Sequence, residues 1–168
     1  MKKFFKNKKR KQGYAILELL FYITLFSILS FVLINAMIIM SKSFKQTVIQ
    51  TELMQTGNLL ERISREIRGA YGINTISVNS LILNTKDDAD VNKTVQFLIS
   101  GSDLQFLENG VLVGNLNTPD LQVIALSFTD ITTAQGKAIK VFLTVKSVND
   151  TSGRTEDFYN TVVLRGGY

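Results

Sequence analysis

The chain has 168 residues, 45% of them apolar, and a formal net charge of +5, with neither cysteine nor histidine. That excludes disulfide staples, thiol chemistry and His-based catalytic triads, and the length suits one modest folded unit beyond any membrane segment. The charge is unevenly placed: Lys2, Lys3, Lys6, Lys8, Lys9, Arg10 and Lys11 are 7 of the 19 basic residues, leaving 12 against 14 acids, or −2, over residues 14–168. The positive balance therefore belongs to the first 13 residues and is not read as a nucleic-acid footprint.

That basic stretch ends at Gly13, and an apolar run starts at once with Tyr14. Glu18 is its one acid, and Leu19 to Met40 carry no charge. About 20 apolar residues suffice to cross a bilayer as a helix. A carboxylate within such a segment costs roughly 2.5–3.5 kcal/mol at the bilayer centre, which makes Glu18 a candidate functional residue. Positive residues beside the first apolar helix hold that end in the cytoplasm, so the chain from Ser41 onward is expected outside. A secretory signal peptide has an apolar core of about 7–15 residues followed by a small-residue cleavage site. This run is longer and no such site follows it. An ordinary signal anchor would account for the leader and the helix but leave Gly13 and Glu18 without a role.

The helical pattern continues past the apolar run, since no proline occurs before Pro119. Ile49, Leu53, Thr56, Leu60, Ile63, Ile67 and Ala70 recur at alternating spacings of four and three, which predicts one buried helix face. Glu61–Arg65 and Arg62–Glu66 are expected to pair at i,i+4 on the opposite face. Gly57 weakens the helix by about 1 kcal/mol relative to Ala, and Gly69 and Gly72 are expected to stop it. A helix from Ala15 to Tyr71 would be roughly 85 Å long, too long for a domain of this size to bury. Its first half must therefore lie in lipid or among other helices.

From Asn74 the pattern changes to short β-rich runs separated by turn residues. The expected strands are Thr75–Val78, Leu81–Thr85, Thr94–Ile99, Leu104–Glu108, Val111–Val113, Val123–Thr129, Ile139–Val148 and Phe158–Leu164. Asn109-Gly110 is the strongest hairpin signal. Ile139, Val141, Leu143 and Val145 alternate with Lys140, Phe142, Thr144 and Lys146, as in a sheet with one face on the helix. The fold class predicted is α+β, one long N-terminal helix packed on an antiparallel sheet. Its divisions are 1–13 (leader), 14–40 (membrane half of the helix), 41–72 (amphipathic half) and 73–168 (β-rich domain).

The string KQG-YAILELLFYITLFSILSFVLINAM resembles the class III signal of type IV prepilins and of the pseudopilins of type II secretion. In that family a basic leader ends in Gly, an aromatic residue opens the mature chain, and Glu is its fifth residue. The resemblance implies cleavage by a prepilin peptidase between Gly13 and Tyr14, N-methylation at Tyr14, and an assembly role for Glu18. Tyr14 stands where Phe is common, and Ala15 where Thr is. It also implies a pilin-like fold, with other pilin or pseudopilin subunits as partners through the N-terminal helix and the lipid bilayer as its surroundings before assembly. ERISREIRGAYGI and the terminal TVVLRGGY look like the J-type minor pseudopilins and the W-type minor pilins. The chain has Asn35 where many major pilins have a membrane-helix proline.

The expected function is thus that of a structural subunit, a minor pilin or pseudopilin, and not of an enzyme. It would reside in the cytoplasmic membrane with its leader inside, then in a filament outside. No cofactor is expected. The lack of a basic, aromatic-studded strand face argues against direct contact with nucleic acid. Asp88, Asp90 and Asn92 alternate like the start of a calcium loop, but the glycine and distal glutamate of such a loop are absent, and a solvated turn is expected. The alternatives are a single-pass membrane protein with an extracellular β-rich binding domain, and a competence-type pilin.

Overall fold

The computed structural model describes residues 12–133 and 136–165, with the backbone alone for residues 12 and 13. Residues 1–11 of the expected leader 1–13 and the terminal Gly166–Tyr168 lie outside the described residues. The order is one helix, α1 (Gln12–Gly69), then β1 (Gly72–Ser77), β2 (Ser80–Lys86), β3 (Asn92–Ser100), β4 (Asp103–Glu108), β5 (Val111–Asn115), β6 (Leu121–Thr133), β7 (Gly136–Ser147) and β8 (Glu156–Val163). The chain divides into two units, Met1–Lys45 and Gln46–Tyr168.

In the first unit the helix is apolar on every side, and none of its most apolar stretch is buried within the chain. Phe21, Phe26, Phe31 and Met37 are each more than three-fifths exposed, at 62%, 70%, 68% and 72%. A helix that is hydrophobic all round is a buried or membrane helix, and here no described residue of its own unit covers it. The Thr24 and Ser27 hydroxyls are satisfied within the helix. Thr24 Oγ1 donates to the Leu20 and Phe21 carbonyls at 3.0 and 2.8 Å, and Ser27 Oγ to the Ile23 carbonyl at 2.8 Å.

In the second unit the remaining helical residues bury one face against strands. Ile49, Leu59, Ile63, Ile67 and Ala70 are buried, while Leu53 and Leu60 are only partly so. The stripe is therefore centred slightly to one side of the predicted one, and it takes in Glu52 and Ser64. Gly57 is exposed, with open space where a Cβ would lie. Arg62 pairs with Glu66 at 3.3 Å, as its spacing predicts, and stands 5.0 Å over the Phe106 ring. Glu61 instead meets Arg68 at 3.9 Å, seven residues on rather than four. The helix ends without a left-handed glycine, since neither Gly69 nor Gly72 has positive φ. The chain instead passes directly into strand pairing, where the Tyr71 amide donates to the Asn84 carbonyl at 3.0 Å.

All eight expected strands form, in two antiparallel sheets rather than one, ordered β1-β2-β3-β4-β5 and β6-β7-β8. The Asn109-Gly110 turn joins β4 to β5 with φ of 51° and 77°, positive at both positions as a type I′ hairpin requires. Leu81, Leu83, Val95, Phe97 and Leu104 from the first sheet meet Val123, Leu126, Val141, Leu143 and Val145 from the second in one core, together with the buried helix face. The alternation along β7 is as expected. Ile139, Val141, Leu143 and Val145 are wholly buried, and Lys140 and Phe142 lie on the other side with Tyr159.

Three polar links tie helix to strands. Ser147 Oγ and Asn149 Nδ2 both donate to the Glu52 carboxylate, at 2.5 and 2.6 Å. Asn160 Nδ2 donates to Ser64 Oγ at 2.7 Å, and Thr118 Oγ1 to Gln55 Oε1 at 2.8 Å. A buried carboxylate is tolerated only when its oxygens are hydrogen-bonded, so Glu52 orients the start of the β7–β8 connection rather than standing as a lone charge.

That connection holds a second ordered carboxylate, Asp150, which is 7% exposed. The Ser152 hydroxyl donates to Asp150 Oδ1 at 2.6 Å and its backbone amide at 2.9 Å, while Arg154 Nε reaches Oδ2 at 3.0 Å. Foremost the Ser152 hydroxyl, then the Ser152 amide, with Arg154 adding less, hold this carboxyl well below the usual range. A depressed folded pKa adds stability that is present above the unfolded value of about 3.9 and is lost as pH falls through the folded one. Asp150→Asn is therefore expected to narrow the difference in urea midpoint between about pH 7 and about pH 3 relative to the unsubstituted chain. An unchanged difference would show that Asp150 does not carry acid sensitivity.

Candidate functional site

The apolar segment from Tyr14 to Met40 contains one ionisable acid, Glu18, one turn beyond Tyr14. The Gly13–Tyr14 peptide lies in the first turn of α1, and the Tyr14 side chain is 78% exposed. Glu18 is exposed as well, with no basic side chain paired to it among the described residues. Among the described residues it accepts a hydrogen bond from the Tyr22 hydroxyl, which donates to Oε1 at 3.3 Å from four residues along. Side chains of a helix lean toward its N-terminus, so a residue at i+4 reaches back over residue i. Tyr22 was legible in the sequence by that spacing, but within an apolar aromatic run it reads as one more lipid-facing ring.

The arrangement can do one thing chemically. A carboxylate held on an uncovered apolar helix has capacity for several hydrogen bonds and uses one of them. In lipid it would therefore seek a cation, and residues 14–40 themselves supply no basic side chain. The helix has the length and composition of a bilayer crossing, as an anchor or as a signal sequence, with a mean hydropathy of 2.4 over its most apolar window.

Other candidate regions of the second unit are accounted for by their own contacts. In the loop after β2, Asp87 Oδ1 accepts the Ala89 and Val91 amides at 2.9 Å each, and Lys86 Nζ meets Asp90 at 2.8 Å. The hydrogen bond from Lys86 to Asp90, and then the charge of Asp90, raise the Lys86 pKa. A lysine thus supplies the cation for Asp90, and no group of three His, Asp or Glu side chains suited to a metal occurs among the described residues. A cavity of about 330 Å³ lies between Gln55, Asn58 and Leu59 of the helix and the β5–β6 connection. Its buried polar residue, Asn117, accepts from the Leu104 amide at 2.7 Å and donates to the Leu121 carbonyl at 2.7 Å. Asn117 thus pins the connection.

The outer face of β6-β7-β8 differs from what the sequence suggested. Phe142 and Tyr159 stand opposite one another with ring centroids 4.9 Å apart, and Lys140 Nζ lies 5.8 Å from the Tyr159 ring. Aromatic and basic side chains do meet on one strand face. The rings lean on each other, however, and the nearby Asp157 accepts the Thr144 hydroxyl at 2.7 Å, which is the pattern of cross-strand pairs that stabilise a sheet.

No protein-family model, no curated protein and no solved structure matches this chain. The fold and the helix define an α+β protein carrying one N-terminal apolar helix, packed through its later residues on antiparallel strands.

Proposed function

We propose that this chain is a pilin-like structural subunit, a minor pilin or pseudopilin, that is inserted, clipped after Gly13 and assembled into a filament. One observation carries the reading: Glu18 is the sole charge on an apolar helix that its own unit leaves uncovered, four residues beyond the Gly13–Tyr14 junction. Leader cleavage would remove seven positive charges from the cytoplasmic end and create an amine at Tyr14. In a filament the Glu18 carboxylate of one subunit would pair with the Tyr14 amine of the next. An unpaired charge among apolar helices is costly and a paired one is tolerable, so the pair sets axial register while the apolar surface supplies the packing.

The test is the intact mass and N-terminal residue of the chain recovered from its native membrane. A chain that begins at Tyr14, heavier by one methyl group, is the expected result. A chain that keeps Met1 in cells with an active prepilin peptidase would favour the alternative, a single-pass membrane protein with a β-rich domain outside.

A further inference from the structure

Three hydroxyl side chains near Glu18 have assigned hydrogen bonds, and they divide into two kinds. Thr24 and Ser27 spend theirs on carbonyls of their own helix, one turn back. Tyr22 alone reaches a side chain, the Glu18 carboxylate, and engages one oxygen, Oε1. The Tyr22 ring is fixed beside Phe21 in an edge-to-face contact with centroids 6.3 Å apart.

We propose that Tyr22 is the positioning residue for Glu18: its hydroxyl holds the carboxylate of the membrane-parked subunit by Oε1 and leaves Oε2 free for the amine of a neighbouring chain. This rests on the assembly role given to Glu18 above. Lipid offers no water to either group, so a phenol and a carboxylate on one helix face stay partnered with each other until a better partner arrives. The i+4 geometry also sets direction. Tyr22 leans toward the N-terminus over Glu18, and the Glu18 side chain leans the same way, toward the end at which amines lie. The incoming amine then adds a charge-assisted hydrogen bond without displacing the first one. Tyr22 contributes no charge; it acts through Glu18.

Two measurements test this, one independent of filaments. In full-length chain carrying ¹³C at the tyrosine ζ carbon and embedded in phosphatidylcholine nanodiscs, Tyr22→Phe assigns the Tyr22 resonance by its disappearance. Glu18→Val should then shift that resonance in the otherwise unsubstituted chain, and an unmoved resonance would overturn the proposal. In cells, Tyr22→Phe keeps the ring and the apolar surface and is expected to lower incorporation about tenfold in competition with the unsubstituted chain, the scale of one hydrogen bond to a charged group. In a Glu18→Val background the same substitution should have little further effect, because the group it serves is gone. An equal loss in both backgrounds would mean that Tyr22 acts by packing and would overturn the proposal. If Tyr22→Phe incorporates normally while Glu18→Val does not, the proposal fails and the assembly reading stands. Normal incorporation of Glu18→Val would overturn both.

Discussion

Glu18→Val is expected to leave the chain fully inserted in the membrane and to lower its recovery in filaments by more than about a hundredfold, the scale of breaking one buried ion pair. The two halves of that result have different origins. Insertion depends on summed apolarity, and replacing a carboxylate by Val removes a cost that reaches roughly 2.5–3.5 kcal/mol at the bilayer centre and is smaller near the end of the segment, where Glu18 lies, so the variant should enter lipid at least as well. Assembly depends on pairing. Removing one partner of an ion pair in an apolar bundle costs about 3–5 kcal/mol, because the other charge is left stranded. The comparison is the fraction of variant and unsubstituted chain in sheared filaments against the membrane fraction of the same cells. Glu18→Gln separates charge from hydrogen bonding, since it keeps the side-chain length. Equal recovery of Glu18→Val and the unsubstituted chain would end the pairing mechanism.

Ile63→Ala is expected to destabilise the second unit by about 2–5 kcal/mol, the range for emptying a fully buried aliphatic site. Ile63 and its neighbour Ile67, one turn on, are both wholly buried between the helix and the two sheets. The loss is large against a typical domain stability of about 5–15 kcal/mol, and the chain has no cysteine with which to offset it. The measurement is the urea midpoint of the full chain in detergent, where a drop at constant slope marks lost stability and not a changed unfolded state. Met54→Ala is the control on the same helix. Met54 is 77% exposed and its truncation should change stability by no more than about 0.5 kcal/mol. If the two variants cost the same, the helix face around Ile63 is not the core of this unit.

The apolar run and its one acid were legible because their signals are local: a run of apolarity and a single exception within it. The helix and all eight strands were legible for the same reason, since periods of 3.6 and 2 are written along the chain. The Asn109-Gly110 hairpin belongs with them, because positive φ at two successive residues favours that dipeptide. Polar contacts between distant segments were not legible. Glu52 sits among residues that read as an exposed helix face, and it is buried because Ser147 and Asn149, 95 and 97 residues away, donate to it. The polar composition of Asn149–Gly153 marks only a turn, and the cluster of Asp150 with Ser152 and Arg154 emerges in the folded chain.

What the sequence by itself determined is the apolar helix with its one acid, the amphipathic stretch after it, the strand count and the α+β class, because hydrophobic period and chain stiffness are properties of neighbouring residues. Only the tertiary structure decided that the strands divide into two sheets and that Tyr159 joins Lys140 and Phe142 on one face. The burial of Glu52 by the β7–β8 connection was decided at the same level. Strand pairing and side-chain partners depend on which distant segments meet, and the free energy of that choice comes from packing and hydrogen-bond satisfaction across the whole unit.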